Sequence, residues 1–282
     1  MPTFAAHAFV WIGQWNEQSG LEAIRSAAAA GIDILEIPLL RPEQFDAGLV
    51  KRQLDEHGVA AAVSLGLPPE AHMPAQPERA VAFLKQVLDK VEQLGARYFT
   101  GALYANLGML TRQPPTASER ATCADALREV AADAARRGVT IGLEPVNRYE
   151  TYLFNTCADM LDLIDAIGAD NVMLHLDTYH MNIEEQGFRK PIVRAGSRLG
   201  YIHLSESDRG LVGKGNVHWD EVFAGLAEAN YQGPLVLESF AGINPDLLGA
   251  TCMWREVPYT GEQLAREGVA FLRAKAAAAG LP

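Results

Sequence analysis

At 282 residues the chain is long for one small domain, and its 49% apolar residues are enough to bury a large core. A formal net charge of −11, with no Lys/Arg cluster, argues against a nucleic-acid partner and for a small-molecule one. No apolar run approaches the ~18 residues of a membrane helix, and the N-terminal MPTFAAHAFVWIGQWNEQ lacks the layout of a signal peptide, so no membrane partner and a cytoplasmic location are expected.

The elements alternate along the chain. A first strand, FAAHAFV (4–10), carries His7, and a helix, GLEAIRSAAAAG (20–31), follows it. Strands come next at DILEIPL (33–39), AAAVSLGL (60–67) and RYFTGAL (97–103). Between the last two lies PERAVAFLKQVLDKVEQLG, where Leu84, Val87, Leu88, Val91 and Leu94 keep helical spacing between a start at Pro77 and a stop at Gly95. Thr116 and Glu119 have capping-box spacing and open a helix that runs to Gly138. The later strands are VTIGLE (139–144), VMLHLD (172–177), GYIHLSE (200–206) and PLVLESF (234–240), and LAREGVAFLRAKAAAAG (264–280) is the last helix. The alanines of the first and last helices suit close packing on a sheet. Strand–helix alternation implies parallel strands with right-handed crossovers. Eight units over this length predict an α/β fold, a (β/α)8 TIM barrel forming one domain over 1–282. A doubly wound sheet would usually show GxGxxG after its first strand; none is present, and GKG (213–215) reads as a flexible turn. Cys123, Cys157 and Cys252 are widely spaced, without a CxxC pair, and are expected to be buried free thiols.

In such a barrel the chemistry collects where strands end. Strand five ends with Glu144, strand six with Asp177, strand seven carries His203 and strand eight Glu238. One carboxylate at a strand end is ordinarily a cap or an ion-pair partner. Adjacent strands each delivering an ionisable group to one rim are harder to read that way. Three carboxylates held together repel unless a cation sits among them, and oxygen-rich ligation with one nitrogen suits Mn²⁺, Mg²⁺ or Co²⁺ better than structural zinc.

GLEPVNRYE (142–150), HLDTYHMNIEE (175–185), YIHLSESDRG (201–210) and VLESF (236–240) resemble the ketose 3-epimerase family of xylose-isomerase-like barrels, which includes D-tagatose/D-allulose and L-ribulose 3-epimerases. The likeness is densest over 140–240 and continues more weakly along the chain. It implies a metal, usually Mn²⁺, on Glu144, Asp177, His203 and Glu238, with Glu144 and Glu238 as the acid/base pair. It implies contacts to a ketose from Glu150, His180 and Arg209, with Ala102 near another. His7 stands where members commonly place an aromatic, a departure that bears on substrate preference. A homodimer or homotetramer is implied as well. The chemistry agrees: epimerising C3 means removing the proton α to the C2 carbonyl and returning one to the other face, which needs an electrophile and a carboxyl on each side.

Other residues have plainer readings. Glu150 could pair with Arg148 at the surface, His180 could be structural, and Arg209 could be a solvated charge or a donor to hydroxyls. His175, two residues before Asp177, should point the same way one layer deeper. Glu36 could support the site from strand two, and Glu206 should support the rim of the metal site. Trp11 and Trp15 could be core or could wall the pocket, and Trp254 could cover the site or an interface. Three other functions compete: an aldose–ketose isomerase of hydroxypyruvate or xylose type, a metal-dependent endonuclease, which seven histidines and the negative charge disfavour, and a non-catalytic sugar-binding barrel, which intact Glu144 and Glu238 disfavour. Without a glycine nest or basic cluster on the late loops, free ketoses are expected over their phosphate esters.

Overall fold

A computed structural model describes residues 2–281. The strands are β1 (Phe4–His7), β2 (Ile34–Pro38), β3 (Ala60–Ser64), β4 (Tyr98–Gly101), β5 (Thr140–Leu143), β6 (Val172–Asp177), β7 (Leu199–Leu204) and β8 (Leu235–Leu237). Each pairs in parallel with the next, and β8 returns to β1, closing the expected barrel. The helices are α1 (Glu17–Ala29), α2 (Ala47–His57), α3 (Pro77–Leu94), α4 (Ala117–Arg136), α5 (Cys157–Ile167), α6 (Thr178–Glu184), α7 (Arg189–Ala195), α8 (Trp219–Glu228), α9 (Leu248–Thr251) and α10 (Gly261–Ala278). Among the described residues no helix is long and apolar enough to cross a membrane.

The helices form where the local signals place them. The apolar stripe of α3 is buried throughout, and Gly95 ends it in the left-handed region at φ 65°. Thr116 and Glu119 exchange both capping-box hydrogen bonds at the start of α4. Small residues bring the outer helices close: a Cβ on Gly268 of α10 would stand 3.1 Å from Leu237 of β8.

Strand periodicity then sorts the barrel interior. A deep layer gathers Ala5, Ala62, Met173, Tyr201 and Val236. One pleat higher come His7, Glu36, Ser64, Thr100, His175 and His203, and at the rim Glu144, Asp177 and Glu238. Gly142 makes room in this column, since a Cβ there would lie 2.6 Å from Thr100 Oγ1.

Several strands end earlier than their apolar runs. β1 stops at His7, whose Nδ1 accepts the Phe9 N–H (3.1 Å) and caps a 3-10 turn over Ala8–Val10. β3 stops at Ser64, although Leu65 and Leu67 remain buried. Loops cover these residues, so apolarity outlasts the ladder. Cys123 and Cys157 are buried, whereas Cys252, expected to be buried, is exposed in the segment after β8. Burial pushes the Cys123 and Cys157 thiols up to about 12. Iodoacetamide at neutral pH should therefore alkylate Cys252 alone in the native protein, read by peptide mass spectrometry. Native labelling of Cys123 or Cys157 ahead of Cys252 would contradict this.

Candidate active site

The polar rim lies at the C-terminal ends of β5 to β8. Glu144 directly follows β5, its backbone N–H bound to the Gly101 carbonyl (3.1 Å), and Pro145 then ends the strand. Asp177 closes β6, His203 lies within β7, and Glu238 follows β8 with its N–H on the Leu204 carbonyl (3.2 Å). All four are at least nine-tenths buried.

Ligand atoms of Glu144, Asp177 and His180 lie within 4.8 Å of one another, as do those of Asp177, His203 and Glu238, and those of Glu144, His175 and His203. Glu144 and Glu238 share no such group. They stand apart, with Asp177 and His203 between them. His203 Nδ1 is 3.4 Å from Glu238 and 3.9 Å from Glu144, and it has no hydrogen-bond partner. Its other nitrogen, Nε2, lies 2.8 Å from Glu36 Oε2, which also accepts the Tyr201 hydroxyl (2.7 Å). Glu36 is fully buried, so this carboxylate fixes the ring and turns Nδ1 into the site. An orphaned imidazole nitrogen among three carboxylates is a donor set that fits an oxygen-preferring divalent ion.

The electrostatics are uneven across the site. Burial, then the charges of Asp177 and Glu238, raise Glu144 well above the ordinary carboxylate range. Burial and Glu238 push Asp177 up to about 7, against the pull of Arg209. In Glu238 burial is outweighed by Arg209 and His203, which hold it well below the ordinary range. The carboxyls on the two sides are thus driven towards opposite protonation states.

Arg209 supplies the buried positive charge. Its Nη1 donates to Asp177 Oδ2 (2.7 Å) and to Glu238, and its guanidinium lies 4.0 Å from the Tyr179 ring centroid and 4.9 Å from that of Phe240. It is not a solvated charge. Its backbone sits in the left-handed region at φ 61°, costly for arginine, and is held by its N–H on the Glu206 carbonyl (2.9 Å) and by the Phe240 N–H on its own carbonyl (3.0 Å).

The loop after Pro145 folds inward. Glu150 is 3% exposed and does not pair with Arg148, which binds Glu184 instead (2.8 Å). Asn147, which the sequence reading passed over, joins two predicted residues: its Nδ2 donates to Glu150 (2.8 Å), and its backbone N–H donates to His180 Nδ1 (3.1 Å). That bond leaves the His180 proton on Nε2, which faces Arg209, Asp177 and Glu144. Burial, then Arg209, hold His180 well below its ordinary pKa, so the ring is neutral. Burial likewise raises Glu150 to about 7. A cavity of about 80 Å³ opens over this group, and Ala102 and His7 line it with Phe240, Leu247 and Thr251. The last three escaped the sequence reading because Phe240 and Leu247 are apolar and Thr251 ends the one-turn helix α9, which carries no periodic pattern.

With this geometry in place, residues 24–275 match the xylose isomerase-like TIM barrel family. The chain belongs to that family. It is 39% identical over 276 residues to an L-ribulose 3-epimerase of Methylomonas sp. (strain DH-1), covering 96% of each protein. It is 36% identical to a ketose 3-epimerase of Arthrobacter globiformis, covering 95% of each. The crystal structure of D-allulose 3-epimerase from Methylomonas sp. in complex with D-allulose superposes with a TM-score of 0.93 at 38% identity, covering 97% of each chain. Within the family, then, the similarity is to ketose 3-epimerases.

Two expectations change here. Glu206 does not touch the acidic cluster; its carboxylate accepts the backbone N–H groups of Ser207, Gly213 and Val217 and the Trp219 indole N–H, all at 2.8–3.0 Å, and so ties down the loop that presents Arg209. Trp254 is 68% exposed and does not line the cavity. His175 lies beneath the site as expected, with Nδ1 2.6 Å from Thr100 Oγ1. Because Glu36 anchors His203, Glu36→Gln should weaken divalent-metal affinity about 10–100-fold. Titration against a competing chelator checks this, and an unchanged Kd would remove Glu36 from the metal site's support.

Proposed function

We propose that the chain is a metal-dependent ketose 3-epimerase acting on free ketoses, with Glu144, Asp177, His203 and Glu238 as metal ligands. The observation that carries this is the pair Glu144 and Glu238: buried directly after β5 and β8, each beside Asp177 or His203, and separated by those two further donors. Bound there, Mn²⁺, or Co²⁺ or Mg²⁺ in its place, supplies an electrophile for the C2 carbonyl and stabilises negative charge on it.

The chain's own residues do the rest. One of the two carboxyls, Glu238 or Glu144, removes the C3 proton from its face, the other returns a proton to the opposite face, and the roles exchange for the opposite epimer. Arg209, His180 and Glu150 hold substrate oxygens, with Asn147 fixing the last two relative to each other. His7 and Ala102 border the distal part of the ketose. The named relatives support L-ribulose and D-allulose as first candidates, and D-tagatose belongs to the same panel.

Removal of metal should abolish turnover and lower Tm, because the buried carboxylates then repel without a compensating ion. Mn²⁺ or Co²⁺ should restore both, and full activity in a verified metal-free preparation would rule the metal out.

Glu144→Gln and Glu238→Gln keep the side-chain shape and one ligating oxygen while removing the base. Each should lower kcat by about 10²–10⁴-fold or more while still binding metal. In D₂O the wild type should place deuterium at C3 of the recovered ketose. Label at C1 instead would make the protein an aldose–ketose isomerase, and near-normal turnover by either variant would remove that glutamate from the mechanism.

A further inference from the structure

Beside the catalytic cavity lies a larger one of about 150 Å³, and the two share Phe9, Pro38 and Leu40 as walls. One side of the larger cavity is aromatic: the rings of Trp15 and Phe45 lie 6.0 Å apart and tilted by 39°. Its rim is polar. Gln14 Nε2 and Arg41 Nη2 each donate to Asp246 at 2.7 Å, tying the loops after β1 and β2 to the segment after β8. Asn244 also lines it and is 8% exposed. Its Oδ1 accepts the Asp246 N–H (2.9 Å), which fixes the amide, yet its Nδ2 has no partner. A buried amide N–H without an acceptor is costly, and on this lining a small turn of the Asn244 side chain would give it a ligand oxygen as acceptor.

Charge narrows the ligand. Arg41 is neutralised by Asp246, and the other charged residues on the lining, Glu17 and Asp46, are acidic. A phosphate or carboxylate finds no free cation here. A neutral ring with an apolar C–H face and hydroxyls at its edge matches an aromatic wall with a rim of amides and a carboxylate. The shared walls make the two cavities neighbouring parts of one groove. Epimerisation engages only the C1–C3 end of a ketose, so a substituent at the far end leaves the chemistry untouched.

We propose that this second cavity is a subsite for a neutral glycosyl ring carried on the distal oxygen of the ketose, so that the enzyme epimerises glycosyl-ketoses as well as free ones. The inference rests on the epimerase activity proposed above. Its test compares D-fructose with 6-O-α-D-glucopyranosyl-D-fructose on the wild type, Asn244→Ala and Trp15→Ala, with products read by chromatography. The wild type should turn over the disaccharide with kcat/KM at least equal to that for the free sugar. Each variant should lose about tenfold on the disaccharide, mainly through KM, and stay within about twofold on D-fructose. A disaccharide left untouched while D-fructose is epimerised would overturn the subsite, as would variants that lose equally on both sugars. Calorimetric titration with methyl α-D-glucopyranoside separates the two readings: if no ketose is epimerised, the activity reading fails, while binding that Asn244→Ala abolishes still upholds the subsite and its absence overturns it.

Discussion

Five carboxyl groups, those of Glu36, Glu144, Glu150, Asp177 and Glu238, are buried at the mouth of this barrel, and their mutual repulsion is the constraint that the surrounding structure answers. The answers differ by position. Glu36 is countered by His203, whose charge and hydrogen bond hold it down to about 2 against its burial. Glu238 is countered by Arg209 and His203. Glu144, Asp177 and Glu150 have less compensation, and burial drives them up. A divalent ion among Glu144, Asp177 and Glu238 would remove the residual repulsion and is the simplest reason for so acidic a centre to persist.

Much of the loop structure serves Arg209, a buried cation that the chain itself provides. Arg209 sits on a left-handed backbone between two aromatic faces and two carboxylates, Asp177 and Tyr179 from the β6–α6 junction and Glu238 and Phe240 from the segment after β8. Glu206 gathers four N–H donors of the loop after β7 and thereby sets where Arg209 begins. Asn147 plays the corresponding part on the loop after β5, joining Glu150 to His180. The strands deliver the first layer of charge, and these loop residues decide its orientation.

What was legible in the sequence follows from periodicity. Period-two strands fix which residues share a face, so Met173, His175 and Asp177 form one column, and the rim set on β5 to β8 could be read before any coordinates. Helix bounds were legible because Pro77, Gly95, Thr116 and Glu119 act locally. Loop geometry was not. Nothing in NRYE distinguishes Asn147, which is buried, from Arg148, which is exposed; the difference arises when the chain folds back over Pro145. Glu206 misled for the same reason, since its position three residues after His203 says nothing about three backbone N–H groups and the Trp219 indole converging on it. Cys252 was read as buried on composition alone, but it lies in a segment held by Asp246 and exposed beyond it.

His7 shows how one such departure changes what a pocket can sort. Its Nδ1 is taken by the Phe9 N–H, and burial holds the ring below its ordinary pKa, so the neutral imidazole carries its proton on Nε2. That nitrogen faces Ser64 Oγ at 3.4 Å and Glu36 Oε1 at 3.7 Å, both long contacts, and Glu36 Oε1 has no other partner. A phenyl ring in the same place would offer only carbon to the cavity. The imidazole offers a donor, backed by a carboxylate that can accept. A pocket wall that hydrogen-bonds a hydroxyl discriminates against a ligand lacking it far more strongly than an apolar wall discriminates by shape. The carboxylate that holds the His203 ring therefore also stands behind His7 on the cavity wall, and the two imidazoles are joined through Glu36.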